Sequence, residues 1–78
     1  MKDKEMVRRM GWYCKKYRED VLNLTLTAFS DKVNDNMKNI HAFEYGRANN
    51  IKYLTYYYKM SCDLYRDEFL KGLFKEVL

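Results

Sequence analysis

The scarcity of turn-forming residues restricts the fold of this chain more than any other feature. Its 78 residues include no proline and three glycines, Gly11, Gly46 and Gly72. A β-sheet protein of this size needs glycine- and proline-rich turns at short intervals to connect its strands. The sequence therefore predicts an all-α fold, and its length predicts one domain over residues 1–78.

Composition narrows the class of protein further. Hydrophobic residues account for 47% of the chain and charged residues for 33%, a balance typical of a folded domain rather than a disordered segment. No apolar run approaches the ~20 residues that a membrane span requires, and residues 1–24 carry charges throughout, unlike a signal peptide. We expect a soluble protein in the cytoplasm, without a membrane partner.

Residue types suited to catalysis or metal binding are few and scattered. Cys14 and Cys62 lack the short spacing of zinc ligands, and reduced core residues are expected in preference to a disulfide. The lone histidine, His41, has no nucleophile and orienting acid at a recognisable spacing. The sequence therefore predicts no enzyme, no metal site and no cofactor, with His41 on the surface or beside a phosphate.

Helical periodicity marks the first part of the chain. Apolar residues recur at steps of three and four through residues 5–24, which indicates one face of an amphipathic helix. These positions are Val7, Met10, Cys14, Tyr17, Val21 and Leu24. Thr25 is a suitable N-cap for a second helix over 26–33, because its hydroxyl can accept a bond from a free backbone N–H.

Asparagines and a glycine delimit the next helix. The cluster Asn34-Asp35-Asn36 predicts a turn, since asparagine tolerates the left-handed conformation that tight helix-to-helix turns require. Asn36 is expected to cap a third helix that runs to about Tyr45. Gly46 then supplies the C-terminal stop.

The C-terminal part of the chain predicts two more helices and completes a compact five-helix bundle. Asn49-Asn50 is expected to open the fourth helix, whose Tyr57 and Tyr58 are assigned to the core. Ser61 is expected to cap the fifth helix, with Asp63 near its positive end. The fifth helix carries an apolar stripe wider than one face, made of Leu64, Tyr65, Phe69, Leu70, Leu73, Phe74, Val77 and Leu78.

Residues across the second and third helices follow the pattern of a known family. They are Thr25, Phe29, Ser30, Asn34, Ile40, Phe43, Glu44, Gly46 and Arg47. The segment 40–47 ends a helix with Glu, one residue, Gly and a basic residue, and residues 17–26 run from a first helix into a second in the family's manner. Over about residues 14–60 the chain resembles the XRE-type helix-turn-helix family, which includes the lambdoid phage repressors and Cro proteins.

This resemblance implies a lambda-repressor-like domain whose helix-turn-helix unit covers about residues 25–45. It implies a sequence-specific DNA-binding transcriptional regulator, a repressor of phage or mobile-element type, that reads the major groove with its third helix. Base contacts are assigned to Asn36, Met37, Lys38, Asn39 and Ala42. Contacts with the DNA backbone are assigned to Thr25, Thr27, Arg47, Asn49, Asn50 and Lys52. The expected partner is double-stranded DNA, bound by a homodimer that forms through the C-terminal helix.

Two interactions are expected to hold this unit in place. Phe29 and Ile40 would join its two helices across the turn. Glu44 lies near the end of a helix, where the helix dipole disfavours a negative charge. It therefore needs a cationic partner, and Arg18 in the first helix is the expected one.

The distribution of charge leaves a second function open. Residues 25–50 contain three basic and three acidic residues and are neutral, so DNA binding would be modest and sensitive to salt. In addition, Leu26 stands where the family commonly has glutamine. The alternative is a protein-binding module on the same scaffold, such as a phage-encoded inhibitor of a host protein. Such a module would use the neutral third helix and the Tyr- and Leu-rich C-terminal half.

Overall fold

Five helices account for most of the chain in a computed structural model, which describes residues 2–78, with side chains from Lys4 onward. They are α1 (Lys2–Asp20), α2 (Leu26–Val33), α3 (Met37–Glu44), α4 (Ile51–Met60) and α5 (Asp63–Val77). No β-strand occurs within residues 2–78. The radius of gyration, 11.6 Å, matches the ~11.5 Å of a compact chain of this length. The predicted all-α, five-helix fold is confirmed.

Polar side chains start the three middle helices at the predicted positions. The Thr25 hydroxyl accepts a hydrogen bond from the backbone N–H of Ala28 at 3.1 Å, before α2. The side-chain oxygens of Asn36 and Asn50 do the same at the starts of α3 and α4, at 2.7 and 2.9 Å. Each bond satisfies a donor that the first helical turn leaves free.

Left-handed residues end α2 and α3. Asn34 and Gly46 have φ values of 59° and 76°. After Gly46 the N–H of Arg47 bonds to the carbonyl of Ala42 at 2.8 Å, and the N–H of Gly46 bonds to Phe43 at 3.1 Å. This pair of bonds is the Schellman pattern, which satisfies carbonyls at a helix end. The chain therefore turns sharply at both ends of α3, as predicted.

The long helix α1 packs against α3, α4 and α5, and α2 packs against α3. The core between them is largely aromatic and consists of Cys14, Tyr17, Phe29, Ile40, Phe43, Tyr53, Tyr57 and Phe69. Gly11 marks the crossing of α1 and α3, because a Cβ atom there would lie 2.3 Å from the carbonyl oxygen of Phe43. The glycine inside α1 is thus required by close approach of the two backbones.

Two predicted boundaries are wrong. α1 ends at Asp20 rather than at residue 24, and Val21 is 48% exposed instead of continuing the buried stripe. Cys62, and not Ser61, is the N-cap of α5, without a side-chain cap bond. The Ser61 hydroxyl is buried and bonds to the Tyr17 hydroxyl at 2.6 Å, so core packing uses the group that capping would need.

The assignment of core tyrosines is half correct. Tyr57 is fully buried, but Tyr58 is only partly buried and Tyr53 takes the second core position. Tyr53 packs against Phe43, with ring centroids 5.7 Å apart. The side of α4 that faces α3 therefore carries Tyr53 and Tyr57, which are four residues apart.

The two cysteines form no disulfide with each other. Cys14 is buried, Cys62 is exposed, and both are free thiols. Burial raises the pKa of the Cys14 thiol above its ordinary value, with a smaller contribution from the charge of Glu44.

Among residues 2–78, no helix combines the length and the apolar character needed to cross a bilayer.

Candidate nucleic-acid interface

A buried ion pair fixes the C-terminal end of α3 against α1. The Arg18 guanidinium donates to both carboxylate oxygens of Glu44, from Nε at 2.8 Å and from Nη2 at 2.9 Å. The two side chains are 5% and 1% exposed. Paired bonds of this kind set orientation as well as distance. The predicted partnership of Arg18 and Glu44 is confirmed.

Further polar groups complete this buried network. The Tyr57 hydroxyl donates to Glu44 Oε2 at 2.7 Å, and Arg18 Nη1 donates to the carbonyl of Leu24 at 2.9 Å. The bond to Glu44 raises the pKa of Arg18 above its ordinary value, and burial raises that of the Tyr57 phenol. The network ties α1, α3, α4 and the α1–α2 loop together, and all buried side-chain polar atoms in the described part of the chain have a partner.

α2 packs against α3, and the two residues predicted to join them, Phe29 and Ile40, belong to the same core cluster. Phe29 and Ile40 are both fully buried, and Phe29 stacks on Tyr57 with ring centroids 4.6 Å apart. Ser30 is also buried, and its hydroxyl donates to the carbonyl of Thr27 at 2.9 Å. A small residue at this position lets the two helices approach closely. The orientation of α3 is therefore set from both of its sides.

The buried residues of α3 identify which of its side chains face solvent. Ile40, Phe43 and Glu44 are buried. At ~100° of rotation per residue, Lys38 and Ala42 lie about 160° away from Ile40 around the helix axis. Lys38 is exposed and Ala42 is half-buried. The two therefore form the centre of the face that α3 presents to solvent.

The other predicted base-contacting residues lie at the edges of this face or at its start. Asn36 is exposed, with its side-chain oxygen engaged in the cap of α3. Met37 is 44% exposed, and its sulfur accepts a hydrogen bond from the Thr27 hydroxyl at 3.4 Å. Asn39 is exposed, and its amide nitrogen donates to Asp35 Oδ1 at 3.0 Å. Asn39 thus keeps its carbonyl oxygen and one N–H for another partner.

Asp35, which the sequence predicted only as a turn residue, ties the turn to α4. Its Oδ2 accepts a hydrogen bond from the Tyr56 hydroxyl at 2.6 Å, and its Oδ1 accepts from Asn39. These bonds, that of Tyr56 foremost, lower the pKa of the Asp35 carboxyl, and the same bond raises the pKa of Tyr56 to about 12. The N-terminal end of α3 is thereby held as the C-terminal end is held by Arg18.

All six residues assigned to DNA backbone contacts are exposed: Thr25, Thr27, Arg47, Asn49, Asn50 and Lys52. Two of them already serve as caps, since Thr25 and Asn50 accept bonds from the first turns of α2 and α4. Arg47 and Lys52 form no ion pair within the described residues, and the Lys52 ammonium lies 5.2 Å from the centroid of the Tyr53 ring.

A shallow cleft contains residues from both predicted sets, those assigned to DNA bases and those assigned to the DNA backbone. It is lined by Leu26, Met37, Lys38, His41, Ala42 and Arg47, from α2, α3 and the α3–α4 loop. His41 lies in it and stacks on Tyr45, with ring centroids 4.4 Å apart. The sequence placed His41 on the surface or beside a phosphate, and its i, i+4 spacing from Tyr45 was a usable signal for the stacking of the two rings.

The burial of Glu44 changes the charge of this surface. Because Arg18 neutralises Glu44 in the interior, the acidic residues that residues 25–50 present to solvent are Asp31 and Asp35. Their basic residues, Lys32, Lys38 and Arg47, are all exposed. The solvent-facing charge of the segment is therefore one positive unit, three basic against two acidic residues, where the sequence sum is zero.

Comparison of the chain with protein-family models, with curated proteins and with solved structures gives no match. Within the described residues, no group of three or more His, Cys, Asp or Glu side chains is arranged to hold a metal ion. The functional proposal therefore rests on α2, α3 and the α3–α4 loop themselves.

Proposed function

We propose that the protein is a sequence-specific DNA-binding transcriptional regulator with a lambda-repressor-like helix-turn-helix. The observation that carries this proposal is the outward face of α3, which includes Lys38, Asn39 and Ala42. The Arg18–Glu44 pair and the Asp35–Tyr56 bond hold the two ends of this helix in place. A regulator of this kind acts by occupying an operator and excluding polymerase. It catalyses no reaction and requires no cofactor.

The chemistry of the α3 face suits the major groove. That groove is ~12 Å wide and admits an α-helix, and the outward side of α3 carries the exposed Lys38 and the half-buried Ala42. A lysine ammonium pairs with guanine, an asparagine amide with adenine, and a small apolar group with the thymine methyl. Each good base contact contributes about 1–3 kcal/mol of discrimination.

Residues around α3 would hold the phosphate backbone. Arg47 borders the same cleft as Lys38, and Lys52 lies in the first turn of α4. Their positive charges attract phosphates regardless of base sequence. Because Arg18 and Asp35 anchor α3, the positions of Arg47 and Lys52 relative to the base-reading face of α3 are fixed.

A homodimer is part of this proposal. Leu64, Phe74 and Leu78 of α5 are 84%, 55% and 89% exposed. Exposed large apolar side chains in a small protein favour association, and a twofold dimer would place two α3 helices on half-sites about 34 Å apart. We therefore expect a pseudo-palindromic operator.

Selection of bound sequences from a random duplex library, at 50 and 200 mM salt, tests the proposal. We expect an enriched motif with two related half-sites, and an affinity that falls steeply as salt rises. Recovery of no motif, with equal weak binding to all duplexes, would contradict sequence-specific recognition. The Lys38→Ala variant is the matched probe, because it removes the central side chain of the face without touching the core.

The exposed apolar residues of α5 favour a second candidate function, a protein-binding module on the same scaffold. In that case α5 and the tyrosine-rich C-terminal half would engage another protein, and α3 would contact no DNA. A chain that selects no duplex but forms a stoichiometric complex lost on Leu64→Ser and Leu78→Ser substitution would support this alternative.

A further inference from the structure

The first turns of α1 lie over the α3–α4 loop. Gly46 has a left-handed backbone, and a Cβ atom there would lie 2.6 Å from Cγ of Arg8 and 3.1 Å from its Cα. Glycine at this position therefore allows α1 to rest directly on the end of α3. As a consequence, the N-terminal turns of α1 continue beside the loop that follows Gly46.

A second cleft forms where α1 and this loop meet. It is lined by Lys4, Val7, Gly46, Arg47, Ala48 and Asn49. Arg47 borders both this cleft and the one that contains Lys38 and Ala42. The surface therefore runs without interruption from the outward face of α3, across Arg47, to the first turns of α1.

Two unpaired basic side chains line this surface, Lys4 and Arg47. Arg8 adjoins it, since the stem of Arg8 lies against Gly46, and it also lines the neighbouring cleft that contains Glu5 and Glu76. Lys4, Arg8 and Arg47 are exposed and take part in no ion pair among the residues whose side chains are described. Other basic residues of α1 are paired, as Arg9 is with Glu5 at 2.9 Å and Lys15 is with Glu19 at 3.0 Å. The unpaired charge of α1 is thus concentrated at the end that adjoins Arg47.

Unpaired cations on one continuous edge are suited to a row of anions rather than to a single small ligand. A duplex carries one phosphate charge per ~1.7 Å of its axis, and lysine and arginine bind phosphates without regard to base sequence. Lys4 and Arg8 are separated by four residues, hence by ~6 Å along the helix. This is close to the spacing of neighbouring phosphates on one strand, and the backbone flanking the base pairs read by α3 fits this edge.

We propose that Lys4 and Arg8, together with Arg47, form a second phosphate-binding edge that holds the DNA backbone outside the segment read by α3. This inference rests on the proposed DNA-binding function and extends the contact surface to α1, which the helix-turn-helix unit alone does not include.

The test compares a Lys4→Gln/Arg8→Gln double variant with a Lys59→Gln control on duplexes of the selected sequence. The control loses a positive charge away from both the proposed DNA surface and the proposed dimer contact, because Lys59 lies in the last turn of α4, exposed and without an ion pair within the described part of the chain. Glutamine keeps much of the aliphatic stem that lies over Gly46. Circular dichroism and thermal unfolding establish that each variant is folded.

A homodimer on two half-sites loses four phosphate contacts, two from each protomer, which lowers the slope of log affinity against log salt by ~3.6. Between 50 and 200 mM salt, the wild-type affinity should therefore fall about 150-fold more than that of the double variant, while the control follows the wild type. The preferred base sequence should not change. Equal slopes in wild type and double variant would overturn this inference and leave base recognition by α3 standing. A wild-type protein that binds no duplex would overturn both.

Discussion

Removing one partner of the Arg18–Glu44 pair should destabilise the protein severely, and removing both should not. In Arg18→Met the Glu44 carboxylate stays 1% exposed in the interior, with the Tyr57 hydroxyl, 2.7 Å away, as its remaining side-chain donor. Breaking a buried pair in this way costs about 3–5 kcal/mol. That is comparable to the ~3–5 kcal/mol that a core of this size contributes.

The double variant Arg18→Met/Glu44→Leu removes both charges and fills the space with apolar groups. Such replacements are often neutral or stabilising, although the Tyr57 hydroxyl then loses its acceptor at a cost of about 1–3 kcal/mol. We therefore expect the double variant to be more stable than either single variant. The coupling between the two sites should exceed ~3 kcal/mol.

Urea unfolding followed by the circular dichroism of the helices measures these free energies. Trimethylamine N-oxide at one fixed concentration keeps the single variants folded at zero urea, since this osmolyte strengthens burial. Arg9→Met is the matched control, because the Arg9–Glu5 pair is 52% and 61% exposed and contributes only about 0.3–0.5 kcal/mol. Single variants that lose less than ~1 kcal/mol, or losses that simply add in the double variant, would refute the reasoning.

Three further predictions concern the turn, the helix crossing and the interface. Because the pKa of the Asp35 carboxyl is lowered, its contribution to stability is complete above about pH 5 and is lost as the pH falls through its folded-state pKa. In Tyr56→Phe the pKa of Asp35 should rise toward its ordinary value, which carboxyl ¹³C NMR would measure. An unchanged Asp35 titration would disprove the Tyr56–Asp35 hydrogen bond. Gly11→Ala should cost about 1–3 kcal/mol in urea unfolding through overpacking against α3. Asn39→Ala should relax the base preference at one operator position while Arg47→Ala weakens all duplexes alike, and identical effects in binding assays would count against the proposed docking.

Local chemistry made the helix boundaries around the interface predictable. Thr25, Asn36 and Asn50 cap helices through bonds to residues two or three positions away, so the sequence neighbours suffice. Gly46 likewise acts within its own turn. The Arg18–Glu44 contact was also predictable although the two residues are 26 positions apart, because a negative charge at a helix C-terminus requires compensation.

Contacts without such a local signal were not predictable. Tyr56 and Asp35 are 21 positions apart, and neither is unusual at its own place in a helix or a turn. Ser61 is a good cap by residue type, but the buried Tyr17 hydroxyl claims its side chain, and only the packing of α1 on α4 brings the two together. The proposed phosphate-binding edge of Lys4 and Arg8 likewise depends on the long-range packing of α1 beside Gly46.

The apolar stripe of α5 illustrates the remaining difficulty. Periodicity identified Phe69 and Leu73, which are buried, but also Leu64 and Leu78, which are 84% and 89% exposed. A stripe wider than the core contact does not reveal which of its edges faces another molecule. The dimer therefore remains a proposal that the operator symmetry and solution mass of the protein would decide.

In the proposed complex with DNA, the outward face of α3 lies against base pairs. An amide ¹H–¹⁵N NMR titration of the labelled protein with its selected duplex tests this claim most directly. We expect the largest shift changes at Lys38, Asn39, His41 and Ala42, with smaller ones at Arg47 and little change in the second half of α5 beyond the proposed dimer contact. Changes confined to α5, with α3 unaffected at saturating duplex, would contradict it.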